Sequence, residues 1–131
     1  DLVSVNLGYN FMWARNLSDD KFLKYRPQHS FNGQVRITPF PFDIGIDFRY
    51  MSRIDEIDDL ITQPPIALVT DCEKRVPIFV TDLSFGHNLL IDSVPAKIYL
   101  NAKNIFNYNY VEFIGNIAPI RNFSLSFELF F

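Results

Sequence analysis

The chain has 131 residues, with 12 Lys and Arg against 15 Asp and Glu, a formal net charge of −3 that lacks the basic face nucleic-acid binding needs. A single cysteine, Cys72, excludes an internal disulfide framework and the common zinc spacings, and 48 % hydrophobic residues exclude disorder. No run approaches the roughly 18 apolar residues of a transmembrane helix, and with neither an initiator Met nor a signal-like segment at Asp1 the chain reads as a mature or internal piece.

Proline cannot donate to a sheet ladder, so the 8 prolines punctuate the chain. The runs between them alternate with period two. Leu2–Arg15 places Val3, Val5, Leu7, Tyr9, Phe11 and Trp13 on one face and Ser4, Asn6, Gly8 and Asn10 on the other. The polar stretch Leu17–Gln28 follows as a long loop. Phe31–Thr38 sets Phe31, Gly33, Val35 and Ile37 against Asn32, Gln34, Arg36 and Thr38. Pro39–Pro41 is a tight turn, and Phe42–Tyr50 sets Phe42, Ile44, Ile46, Phe48 and Tyr50 against Asp43, Gly45, Asp47 and Arg49. Next comes the long loop Arg53–Pro77. Ile78–Leu89 sets Phe79, Thr81, Leu83 and Phe85 against Asp82, Ser84, Gly86 and Asn88. A turn at Asp92–Pro95 leads to Lys97–Phe106, where Ile98, Leu100 and Ala102 oppose Tyr99, Asn101 and Lys103. The loop Tyr108–Ile120 precedes Phe123–Phe131, with Phe123, Leu125, Phe127, Leu129 and Phe131 against Ser124, Ser126 and Glu128. Strict alternation over such lengths predicts six antiparallel strands, an all-β fold.

These runs approach the roughly 9–11 residues that a tilted strand needs to cross hydrocarbon, and exceed the five or six usual in soluble sheets. Short turns alternate with long loops, as in outer-membrane barrels. Charges sit in mid-strand on the polar face: Arg36, Asp43, Asp47, Arg49, Asp82, Lys103 and Glu128. Aromatics gather near strand ends, with Phe11, Trp13, Phe31, Phe48, Tyr50, Phe79, Phe106 and Phe123 towards the long loops and Phe40, Phe42, Phe130 and Phe131 towards the short turns. Two such bands about nine residues apart match interfacial girdles. The pattern therefore predicts transmembrane strands with apolar side chains outward. Six are too few, because the smallest single-chain barrels have about eight and open edges in hydrocarbon leave backbone groups unsatisfied. The expectation is the C-terminal portion of a larger barrel, the alternative being several chains that share one barrel.

The stretch Asn104-Ile105-Phe106-Asn107-Tyr108-Asn109-Tyr110 resembles the Asn-Leu-Phe-(Asp/Asn)-x-x-Tyr signature near the end of TonB-dependent outer-membrane receptors. Gly115, Pro119 and Arg121 resemble that family's Gly…Pro-Gly-Arg, with Ile120 in place of the second Gly, and Phe123–Phe131 is similar to its terminal strand. Upstream, Tyr25-Arg26-Pro27-Gln28-His29 resembles a Pro-x-His lead into an earlier strand, and Val80–Phe85 another strand of the region. No single piece is specific; the ordered set is. The resemblance implies the last six strands of a barrel of about 22, in the bacterial outer membrane, around a plug that no part of these residues resembles. It implies energised uptake of a scarce ligand of the siderophore, cobalamin or carbohydrate class. The partners are then outer-membrane lipid, the rest of the barrel and plug, TonB through an N-terminal region, and the barrel-assembly machinery.

The same resemblance makes Phe123, Leu125, Phe127, Leu129 and Phe131 an address for that machinery, although barrel geometry alone makes Phe131 a girdle aromatic. Candidate ligand-facing loop residues are Tyr25, Arg26, Tyr108, Tyr110 and Arg121, since aromatics with Arg can hold an anionic or sugar-like ligand; interface anchoring is the plainer role. The acids Asp55, Glu56, Asp58, Asp59 and Asp71 lack a calcium-loop spacing, while Ile54, Ile57, Leu60 and Ile61 recur at helical intervals, which predicts a short acidic surface helix entered at Ser52. His29 and His87 have no third ligand in prospect, and Cys72 has no partner. No catalytic arrangement, cofactor or metal site follows from spacing, and Asp47 with Arg49 or Arg36 reads as charge neutralisation within a wall. A structural or complex-associated outer-membrane barrel is the alternative to a receptor, and a soluble β-barrel or sandwich around an apolar ligand is a third class.

Overall fold

The computed structural model describes residues 2–18, 20–57, 76–113 and 116–131. Strands form where side chains alternate: β1 (Val3–Phe11), β2 (His29–Ile37), β3 (Phe42–Met51), β4 (Ile78–Ile91), β5 (Val94–Lys103) and β8 (Asn122–Leu129), with two short strands, β6 (Val111–Phe113) and β7 (Asn116–Ile117), inside the predicted last loop. Six form one antiparallel sheet in the order β1-β2-β3-β4-β5-β8, open rather than closed, and β6 pairs with β7. The described residues contain no helix, so none is long and apolar enough to cross a membrane.

Several expected boundaries move. Strand β5 stops at Lys103 rather than Phe106, because Asn104 turns to a φ of 50°. The second turn is tighter than Asp92–Pro95: Asp92 and Ser93 alone carry positive φ (46° and 71°), the hairpin geometry that matches strand twist. Pro95 lies inside β5, opposite Leu90. Its carbonyl accepts from the Phe130 N–H at 2.9 Å, so its missing N–H faces the ladder beyond the end of β8, where little is lost. The acidic helix expected from Ser52 does not begin: Ile54 instead bridges to Pro27. Asp58, Asp59, Leu60, Ile61, Asp71, Cys72 and Gly115 lie outside the described residues.

The chain divides into two compact units. Unit 1 comprises Asp1–Gly8, Asn32–Arg49 and Phe79–Phe131, and unit 2 comprises Tyr9–Phe31 and Tyr50–Ile78. In unit 1 the register keeps like with like. One face carries the rows Leu83–Ala102–Phe123, Phe85–Leu100–Leu125, His87–Ile98–Phe127 and Leu89–Ala96–Leu129; the other carries Ser84–Asn101–Ser124, Gly86–Tyr99–Ser126 and Asn88–Lys97–Glu128. In unit 2 the end of β1 continues as a hairpin extension, in which Arg15 bridges Phe22, Asn16 N–H bonds Lys21 O at 2.8 Å and Leu23 N–H bonds Ala14 O at 2.9 Å.

Among the described residues the buried apolar side chains are only Ile78, Val80, Ala96 and Ala118, whereas Leu83, Phe85, Leu100, Phe123, Leu125 and Phe127 are exposed. A fold held by water's exclusion of apolar surface needs the opposite.

Candidate functional site: the polar face of unit 1

The polar rows owe their arrangement to glycines. Gly45 on β3 leaves room for the Arg36 guanidinium and the Ser84 hydroxyl, and Arg36 then reaches Asp47, Nη2 to Oδ2, at 2.9 Å. Gln34 donates to the other oxygen of Asp47 at 2.8 Å. A side chain at Gly86 on β4 would come within 2.9 Å of the Tyr99 ring and 3.2 Å of Asp43. Above that gap Lys97 Nζ reaches Asp43 at 3.2 Å and sits 4.3 Å from the Tyr99 ring centroid. Long charged side chains thus lie flat across a neighbouring strand and neutralise each other, as the sequence reading expects of Asp47 with Arg36. The Lys97 and Asp43 side chains are 16 % and 26 % exposed, while Leu125 on the other face is 73 % exposed.

The segment after β5 folds over this face. Asn104 is 3 % exposed and serves as its hub. Its backbone N–H donates to Asp82 Oδ1 at 2.7 Å, its side-chain nitrogen donates to the carbonyls of Tyr108 (2.8 Å) and Pro119 (3.2 Å), and its side-chain oxygen accepts from the Tyr108 N–H at 2.9 Å. Asn107, also left-handed, accepts from the Arg121 N–H at 3.1 Å. Asparagine suits both positions because its short amide tolerates positive φ while bonding nearby backbone. Asn104 and Asn107 are thereby tied to Pro119 and Arg121.

Tyr108 and Tyr110 stack at 6.2 Å between centroids, and the Tyr110 hydroxyl accepts from Arg49 Nη2 at 3.0 Å. Between this loop and the strands lies a cleft of about 630 Å³. It offers donors from Arg49, Lys103 and Asn122, acceptors from Asp47 and Asp82, and the Tyr110 ring. Such a surface can hold a polar, hydroxyl-rich solute through mixed hydrogen bonds and ring contact. Among the described residues, no group of three or more His, Cys, Asp or Glu is placed to hold a metal ion.

Of the five residues expected to face a ligand, Tyr110 lines this cleft, Tyr108 stacks beside it, and Arg121 joins the loop through its backbone. Tyr25 and Arg26 belong to unit 2, where the Tyr25 N–H bonds Glu56 O at 2.9 Å. His29 is the first residue of β2, where its ring nitrogen lies 2.8 Å from the Tyr9 hydroxyl. His87 stands in an apolar row, stacked on Phe42 at 4.9 Å. No spacing in the sequence marks Arg49, Lys103, Asp82 or Asn104 for binding. Their even-odd phase put the first three on the polar face, but only the return of loop 104–121 makes a cleft there. The chain matches no protein-family model and no curated protein.

Proposed function

We propose that this chain forms six strands in the wall of a larger bacterial outer-membrane barrel of the TonB-dependent receptor type, whose function is energised uptake of a scarce ligand of the siderophore, cobalamin or carbohydrate class. The observation that carries the reading is the inversion of exposure in unit 1, where apolar rows stand uncovered and charged rows are half-buried and paired. Lipid covers an uncovered apolar row without cost, and a polar lumen accepts charged side chains. The open sides of β1 and β8 call for further strands, because hydrocarbon satisfies no backbone group. The ordered motifs around Asn104–Tyr110 and the terminal strand from Phe123 to Phe131 supply the family, and with it the plug, TonB and the assembly machinery as partners. Tyr110, Arg49 and the polar cleft then face the lumen, with Tyr108 and Arg121 in the loop above.

The test uses the intact gene. Cell envelopes should release the protein only into detergent, in a form whose gel mobility shifts on heating, and ligand accumulation should stop in cells lacking TonB. Release as a soluble protein without detergent overturns the membrane reading. A heat-modifiable barrel whose loss or uncoupling from TonB leaves uptake unchanged would instead identify a structural outer-membrane barrel.

A further inference from the structure

Unit 2 holds a row of aromatic rings that ends in a cation. The Tyr9 and His29 rings stack at 6.2 Å, His29 meets Phe11 at 5.1 Å, Phe11 meets Trp13 at 6.1 Å, and Trp13 meets Phe22 edge-on at 5.1 Å. Arg15 closes the row, its guanidinium carbon 5.4 Å from the Trp13 centroid and 5.1 Å from that of Phe22. The hairpin extension sets this geometry by pairing Arg15 with Phe22. The row remains open to its surroundings, with Trp13 61 % and Phe11 50 % exposed. From Tyr9 to Arg15 an extended chain covers about 20 Å, passing from aromatic rings to a permanent positive charge. A lipid leaflet changes in the same order, from acyl chains through the interface to phosphate.

We propose that Arg15, standing on Trp13 and Phe22, receives the phosphate of an anionic lipid headgroup in the leaflet around the barrel. The inference rests on the membrane reading above. Arg15 is paired with Asp20 at 2.8 Å, but the Asp20 side chain is 84 % exposed. Such a surface pair is weak, so phosphate oxygens can share the guanidinium. Lys21, Lys24 and Arg26 line a further cleft of this unit, of about 450 Å³, in which Glu56 is the one acidic lining residue among the described residues. They add to the positive field beside the ring row. The open faces of Trp13 and Phe11 select a lipid over a free phosphate, since only the lipid brings apolar surface to cover them.

Trp13 is the only tryptophan of the chain and therefore its own reporter. The intact barrel, with any tryptophan outside this chain replaced by phenylalanine, is reconstituted in phosphatidylcholine vesicles carrying either brominated phosphatidylglycerol or brominated phosphatidylcholine. Quenching of Trp13 should favour the brominated anionic lipid. Arg15→Gln should lower that preference roughly fivefold, and Arg15→Lys should largely retain it. Equal quenching by both lipids, or a preference untouched by Arg15→Gln, overturns the inference while leaving the barrel reading intact. A preference abolished by excess inorganic phosphate overturns the lipid assignment in favour of a free-anion site. A folded barrel whose Trp13 neither brominated lipid quenches removes the membrane reading itself, and the inference with it.

Discussion

Leu125 and Ser126 are neighbours on β8, yet they join rows of opposite character. Leu125 continues Phe85–Leu100, whose members are 43 % and 46 % exposed, and Ser126 continues Gly86–Tyr99, beside the pair formed by the 16 %-exposed Lys97 side chain and Asp43. In a water-soluble sheet the covered row is the apolar one. Here Gly86 is buried and the Lys97 and Asp43 side chains beside it are largely covered, although Ser126 on the edge strand is open, and the charges are paired where glycines leave room. The sheet thus pairs Lys97 with Asp43 and Arg36 with Asp47 on one face and leaves the apolar surface of the other for its surroundings to cover.

Breaking the apolar row should have the largest effect. In the barrel setting Leu125→Arg should destabilise by about 2–4 kcal/mol near mid-bilayer, measured by denaturant unfolding in lipid vesicles, and Ser126→Arg one residue away should cost far less. Equal tolerance on both faces would remove the contrast. The polar side depends on its hub. Asn104→Ala should cost about 2–3 kcal/mol in the same assay, because the part-buried bonds to the Tyr108 and Pro119 carbonyls and from the Tyr108 N–H are all lost. Asn104→Gly, which accepts the positive φ, should recover about 1 kcal/mol of that loss. A smaller effect, about 1–3 kcal/mol, is expected for Gly86→Leu, since the new side chain meets Tyr99 and Asp43 and displaces Lys97 from its partner. A variant that keeps full stability and the 3.2 Å Lys97–Asp43 contact would show that the glycine is not what seats the pair.

Some of this was legible residue by residue. Period-two alternation named the six strands of the main sheet and the faces of the residues it placed in them, because a pleat turns successive side chains to opposite sides regardless of what surrounds it, but it left Leu90, Ile91 and Val94–Ala96 out of the ladder they join. It also offered Asp47 either Arg49 or Arg36 as a partner on the polar face, and Arg36, on the adjacent strand, forms the ion pair at 2.9 Å. No helix begins at Ser52, because Ile54 takes Pro27 as its backbone partner and holds the described part of that segment, up to Ile57, as a bridged loop. The five residues grouped as ligand-facing were grouped by type; contacts divide them between the units.

The amino-acid order by itself determined where strands run and which side chains share a face, since both follow from local backbone geometry. Only the folded chain brings Asn104 to Asp82, Tyr108 and Pro119, Tyr110 to Arg49, and Lys97 to Asp43 beside the Tyr99 ring that lies over Gly86. Each of these depends on strand register and on a loop's path back over the sheet. Distances between groups that lie far apart along the chain are set only when the whole backbone closes around them.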